Sequence, residues 1–385
     1  MLTRRLAGKR SARTAFLADQ VSGFFAGILF YLRTPKVPTA RLPARARHAG
    51  GLDHPLVSIV VPAYNAQDTL NATLTSLRNQ TFERLEIFVV DDGSRDATAA
   101  VASSHAAADP RVRLIQQRNG GVARARNAGL AEAEGSYVAF VDADDLCAPE
   151  RTSKMLAAMW RMGDDCALAY TWSTHIDGSG RIVAESQRSE HEGWVHDELC
   201  KINFVGNGSA ALVRTDVARA VGGFDPTLRE VGAQGCEDID FYLRVARRHK
   251  FAVVREFLTG YRQSVSNMSS DGMQMYRSFR RVERRHGREV PAARAALKLG
   301  RKYVLGWLLS LASLHGRYRT YWKLVPRLAL IAPRWAYNIV VTHRVTSPGE
   351  ELPIVDDALL ADSRNPDRGA RFPIGGPVVT GASHV

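Results

Sequence analysis

The sequence predicts an α/β protein built on a Rossmann-like, mostly parallel sheet with helices on both faces. Three observations predict it. From Leu56 onward, short apolar runs alternate with stretches of helical periodicity. The runs are nearly continuous rather than alternating, as strands buried on both faces are. Two of them end in acidic clusters, Asp91-Asp92-Gly93-Ser94 and Asp142-Ala143-Asp144-Asp145. Carboxylates just past the C-terminal ends of parallel strands are where open α/β sheets bind ligands.

The elements follow in order. Val57-Ser58-Ile59-Val60-Val61 reads as a strand that ends at Pro62, and Leu70, Leu74 and Leu77 mark one face of a helix. Leu85–Val90 is the second strand, and the alanine-rich stretch Ala97–Ala107 is helical. Val112–Ile115 is a third strand, Gly121–Ala133 a helix and Tyr137–Val141 a fourth strand. A helix over Thr152–Met162 leads to shorter strands around Ala167–Trp172 and Ser209–Val213. A turn at Gly222-Gly223-Phe224-Asp225-Pro226 precedes a helix from Cys236 to Arg247. Composition and periodicity divide the chain into a basic N-terminal helix and linker (1–54), an α/β domain (55–275), a basic, aromatic-rich helical region (276–345) and a disordered tail (346–385).

The charge distribution concerns the flanks. Net charge is +13, yet residues 1–50 hold ten Lys/Arg and one acid, and no acid lies between Glu289 and Glu350. The excess therefore points to an anionic surface as partner. Leu17, Val21, Phe24, Phe25, Ile28, Leu29 and Leu32 recur at helical spacing behind a basic arm. They form either an in-plane membrane helix or a helix packed on the protein's own surface. Tyr303, Trp307, Tyr318, Tyr321, Trp322, Trp335 and Tyr337, interleaved with Arg and Lys, have the composition of an interfacial segment. Packing of these aromatics onto the domain is the competing reading. Pro326 and Pro333 are expected to break any long helix there. No nucleic-acid module is present, and membrane surface is favoured over nucleic acid. The four cysteines are scattered without metal-ligand spacing and read as reduced thiols. No secretory signal or spanning segment is read, so the expected location is cytoplasmic, peripheral on the cytosolic face of a membrane.

Asp142 and Asp144 have the period-two spacing that lets both side chains leave a strand end in one direction. Two carboxylates and a diphosphate would suit a hard cation, Mn²⁺ or Mg²⁺. Taken alone, each acidic cluster is equally well a solvated turn. Their order is more informative. Val57–Asn65 is followed by Val90-Asp91-Asp92-Gly93-Ser94, then Asn119-Gly120-Gly121-Val122-Ala123-Arg124-Ala125-Arg126-Asn127-Ala128-Gly129, then Phe140–Asp145. With these motifs the sequence resembles the family 2 glycosyltransferases, the inverting family with the GT-A fold, over residues 55–270.

The resemblance implies a nucleotide-sugar donor, usually a UDP-sugar, and a hexosyltransferase type of activity. It implies that Pro62, Ala63 and Tyr64 line the nucleoside pocket and that Asp92, with Asp91 beside it, binds the base edge. Arg126 would lie near the base or phosphates, Asp142 would contact ribose or metal, and Asp144 would be the principal metal ligand. Gly208, in Gly206-Asn207-Gly208-Ser209, would lie beneath the donor sugar. In Gly235-Cys236-Glu237-Asp238, Asp238 would be the general base and Glu237 would orient the acceptor or the base. Many relatives place a histidine two residues past the arginine of Gly260-Tyr261-Arg262, where this chain has Ser264. The acceptor is expected to be a glycan or a lipid-linked molecule. A catalytically silent binding protein is the alternative. A dinucleotide oxidoreductase is excluded because no Gly-x-Gly-x-x-Gly follows the first strand.

Overall fold

The computed structural model describes residues 55–263, 271–345 and 369–375. The expected N-terminal helix of residues 1–33 and Ser264 lie outside the described residues. Three strands run parallel as read: β1 (Val57–Ala63), β2 (Leu85–Asp91) and β3 (Val112–Gln116), with β4 (Tyr137–Phe140) on the other side of β1. Val57 stands opposite both Leu85 and Tyr137, so the three central strands start level; β2 ends with Asp91 opposite Ala63, while β4 ends at Phe140 opposite Val60. Beyond β4 the sheet becomes mixed. Strand β8 (Ala211–Arg214) is antiparallel to β4, and β6 (Cys166–Ile176) is antiparallel to β8. The long β9 (Lys250–Arg262) then runs parallel to β6, with β5 (Leu146–Cys147) antiparallel on its far side and β7 (Ile182–Glu185) paired to β6.

Both faces of the sheet are covered, which is why its strands lack alternation. Ile59, Val61 and Val89 enter one core, while Val60, Val90 and Phe140 enter the other. Helix α1 (Leu70–Arg78) contributes Leu70, Leu74 and Leu77, all fully buried. Each stabilises the fold by about 1.5–3 kcal/mol relative to exposure. Helices α2 (Thr98–Ala108) and α3 (Val122–Glu132) follow β2 and β3. Gly129 lets α3 lie directly on β1, since a Cβ there would stand 2.3 Å from Val60 Cγ1. That close approach carries Arg126, one turn earlier, towards the strand ends.

The second half adds α4 (Arg151–Met162), α5 (His196–Lys201), a 3-10 turn at Gly208–Ala210, α6 (Thr215–Ala220), α7 (Thr227–Glu230) and α8 (Glu237–Ala246). Helices α9 (Gly272–Glu289), α10 (Arg294–Leu314), α11 (Tyr318–Ala329) and α12 (Pro333–Val345) form the C-terminal region. Phe279, Val282 and Leu297 join the core that α8 occupies. Leu305, Leu308 and Leu309 pack with Tyr321, Leu324, Leu328 and Ile339 in a separate core. The leucines of this region are thus used internally with Tyr321, while Tyr303, Trp307, Tyr318, Trp322, Leu330 and Tyr337 stay exposed.

Two expectations are corrected. Pro326 does not break its helix but lies inside α11. The backbone bond it removes falls near the helix end, and burial of Leu324 and Leu328 outweighs that loss. Residues 369–375, within the segment read as a disordered tail, are instead docked on β7. Ile182 N donates to Ala370 O at 2.9 Å and Gly369 N to Ile182 O at 2.8 Å. The Phe372 side chain is buried against Gly260 and Ile176. Phe372 and Ile374 pack on the core and Asn79 Nδ2 donates to Ile374 O, so apolar burial and a strand edge order this short segment. Among the described residues, no helix is long and apolar enough to cross a membrane.

Candidate active site

The ends of β1 and β2 are stitched to each other. Pro62 and Ala63 are buried in β1, and Tyr64 projects from its end, half exposed. Asn65 follows with φ of 48°, a left-handed conformation that Asn tolerates. Its N–H donates to Ser94 Oγ, and its Oδ1 accepts from Arg95 N–H. Asp91 Oδ1 in turn accepts from Ser94 N–H at 2.9 Å.

The Asp92 carboxylate is engaged by the loop that follows β3. Its Oδ1 accepts from Gly120 N–H at 2.7 Å and Gln117 Nε2 at 2.6 Å, and its Oδ2 from Gly121 N–H at 2.7 Å. The carboxylate therefore anchors the turn that opens α3 and supplies the negative charge favoured at a helix N-terminus. Both Asp91 and Asp92 are 3% exposed.

Arg126 joins the acidic strand end to the far half of the chain. Its guanidinium, 4% exposed, donates from Nη2 to Asp142 Oδ1 at 2.7 Å and from Nη1 to Asp238 Oδ1 at 2.5 Å. It lies 5.0 Å from the centroid of the Phe224 ring. The turn at 222–226 is locked for this purpose by Asn127, whose side chain accepts from Phe224 N–H and donates to Phe224 O. Gly208 fits against the pair: a Cβ there would stand 2.6 Å from Arg126 Nη2 and 3.1 Å from both Asp238 oxygens. Asp142, Asp238, Arg126 and Gly208 thus converge. Glu237 does not join them by any hydrogen bond. Its Oε2 accepts from Gly235 N–H at 2.7 Å, closing the start of α8.

Ser209, Asp145, Arg262 and Arg151 support this centre and were not assigned from the sequence. Ser209 Oγ accepts from Asp142 N–H and donates to Asp145 Oδ2. Asp145 Oδ1 accepts from Arg262 N–H, and Arg262 Nε donates to Asp144 O. The buried Arg151 guanidinium donates to Ser209 O. Adjacency to the acidic cluster and the arginine after Gly260-Tyr261 were the available signals.

Negative charge exceeds positive at this strand end. Burial, with Asp142 nearby, pushes the Asp144 carboxyl up to about 6. Burial and the neighbouring Asp144 and Asp142 drive Asp145 well above the usual range. Burial also raises Asp238, with Arg126 opposing it, and burial raises Glu237. Among the described residues, no side chain donates a hydrogen bond to the Asp144 carboxylate. An under-partnered carboxylate with a raised pKa beside a second carboxylate fits the oxygen donor set of a divalent cation.

Elsewhere among the described residues, His196, Cys200 and His286 hold nitrogen and sulfur atoms within 4.8 Å of one another. Arg247 Nη2 lies 2.7 Å from His286 Nδ1. Arginine only donates, so Nδ1 accepts and His286 Nε2 carries the proton towards His196 Nε2 at 2.8 Å. The cluster is a hydrogen-bond chain that ties α5 to α9. All four cysteines are buried and free.

Residues 58–211 match the sequence model of glycosyl transferase family 2. The chain is 45% identical over 91 residues to EpsJ of Bacillus subtilis, described as an uncharacterized glycosyltransferase, covering 24% of this chain and 26% of that one. It is 34% identical over 155 residues to chondroitin synthase of Escherichia coli (40% and 21%) and 32% identical over 152 residues to hyaluronan synthase of Pasteurella multocida (40% and 15%). The chain thus covers well under half the length of these curated relatives. Among solved structures, S. aureus TarS residues 1–349 in complex with UDP-GlcNAc matches with a TM-score of 0.51 and 19% identity, over 74% of this chain and 83% of that one. The fold is the GT-A fold.

Proposed function

We propose that this chain, whose residues 58–211 form a glycosyl transferase family 2 domain, moves a sugar from a nucleotide-sugar donor, a UDP-sugar, to a hydroxyl of a glycan or lipid-linked acceptor with inversion. The observation that carries the reading is the Asp142–Arg126–Asp238 bridge. It links a strand-end carboxylate to an acid on a helix 112 residues beyond Arg126. Chondroitin and hyaluronan synthases among the relatives support a role in polysaccharide synthesis.

In this mechanism Asp238 takes the proton of the acceptor hydroxyl as its oxygen bonds to the anomeric carbon. The bond from that carbon to the diphosphate breaks, and its electron pair leaves with the nucleotide. Burial raises the basicity of Asp238, and Arg126 keeps it ionised and aimed. Asp144 and Asp142 would hold Mn²⁺ or Mg²⁺, which neutralises charge on the leaving diphosphate. Tyr64, Ala63 and Pro62 would flank the nucleoside, and Asp92, with Asp91 beside it, would bind the base edge while holding the loop that opens α3. Gly208 would leave room for the donor sugar. Exposed Tyr318, Trp322, Leu330 and Tyr337, with Arg319, Lys323 and Arg334, support contact of α11 and α12 with the cytosolic face of an anionic membrane.

Asp238→Asn tests the reading. Donor binding, followed by thermal shift with UDP-sugars and Mn²⁺, is expected to stay near wild type while transfer falls by about 10²–10⁴-fold. Transfer persisting near the wild-type rate would remove Asp238 as the base.

A further inference from the structure

Helix α9 carries six arginines, and two of them are engaged within the protein. Arg280 pairs with Glu283, and Arg285 pairs with Asp225 at 2.5 Å and with Asp240 of α8. The other four, Arg277, Arg281, Arg284 and Arg288, recur at i, i+4, i+7 and i+11. They therefore lie along one helix face, with about 16 Å of rise from first to last. All four are exposed, and none has an ion-pair partner among the described residues. They line a cavity of about 980 Å³ that Leu228 and Val231 also line. The acids in the lining offer no relief, because Asp225 is held by Arg285 and Glu289 by Arg247.

We propose that this groove binds the phosphate groups of an extended, phosphate-bearing acceptor chain and guides it to Asp238. The inference rests on the glycosyltransferase reading and specifies its acceptor side. Neighbouring arginines on the stripe lie about 6 Å apart, so a chain along α9 meets a guanidinium at each step. The planar fork of arginine matches phosphate oxygens in pairs. Residues outside α9, Leu228 and Val231 among them, also line the groove, so an extended chain lying in it would touch more than the arginine stripe. Arg285 connects the stripe to Asp240, two residues past Asp238 on the same helix, so the groove and the base share one support.

The test uses the full-length chain and a short linear inorganic polyphosphate, with binding measured without metal across a salt series. Arg281→Gln with Arg284→Gln is expected to weaken polyphosphate binding about tenfold or more at low salt and to lower the salt slope by roughly 1.5. Arg113→Gln with Lys298→Gln removes the same charge from exposed positions on β3 and α10 and is expected to change binding less than twofold. Equal losses in both pairs, or no polyphosphate binding by the unmodified chain, would overturn the proposal. So would an α9 variant that loses binding to phosphatidylglycerol vesicles while keeping polyphosphate, since the stripe would then serve a lipid surface. The readout does not involve sugar transfer. Failure of the catalytic reading would appear separately, as absent donor binding with polyphosphate binding intact.

Discussion

Replacing Arg126 by alanine removes the cation that, among the described residues, Asp142 and Asp238 share. The guanidinium is 4% exposed, whereas the two carboxylates are 30% and 26% exposed. Breaking a buried ion pair from one side costs about 3–5 kcal/mol. Partial access of water to both acids moves the expectation to the lower end, about 3 kcal/mol. The lost stacking on Phe224 at 5.0 Å is contained in that figure. Arg126→Lys keeps the charge but reaches one carboxylate, and it is expected to lose about half as much. Urea denaturation at neutral pH measures both. A second readout separates positioning from mere stability. Without the cation that opposes burial at Asp238, its carboxyl rises further, so the base stays protonated to higher pH. The acid limb of the transfer rate then moves to higher pH in Arg126→Ala. A stability within about 0.5 kcal/mol of wild type, together with an unmoved acid limb, would refute the bridge as the organiser of the site.

Two further outcomes follow from the same geometry. Gly208→Ala puts a methyl group 2.6 Å from Arg126 Nη2, and Arg126 is pinned by two carboxylates and cannot retreat. A cost of about 1–3 kcal/mol and a fall in kcat of about tenfold or more are expected, and unchanged kcat would show that the glycine is not needed for positioning. Asp144, with its carboxyl at about 6, is expected to bind Mn²⁺ about tenfold more weakly for each pH unit below that value, because proton and metal compete. A raised carboxylate favours the folded state at low pH, so the metal-free chain loses that contribution as pH rises through about 6 and Mn²⁺ restores it. Calorimetric titration between about pH 5 and pH 7 checks the first part, and pH-independent affinity would exclude Asp144 as a ligand.

The sequence by itself determined the first half of the sheet. Val57–Ala63, Leu85–Asp91 and Tyr137–Phe140 are buried on both faces, and such strands must be written as continuous apolar runs. It also determined that acids would stand at their ends and that Asp238 would open a helix. The tertiary structure decided what those acids do. Asp92 and Asp142 look alike along the chain, yet one closes on the amides of Gly120 and Gly121 and the other on Arg126. Ser209 and Arg262 became supports of the acidic cluster through partners 64 and 117 residues away. The apolar stripe of α10 and α11 was legible, but the surface it meets was another helix. Local periodicity records which face of an element avoids water. It does not record which distant group satisfies a buried charge, because that partner is chosen by the packing of the whole chain.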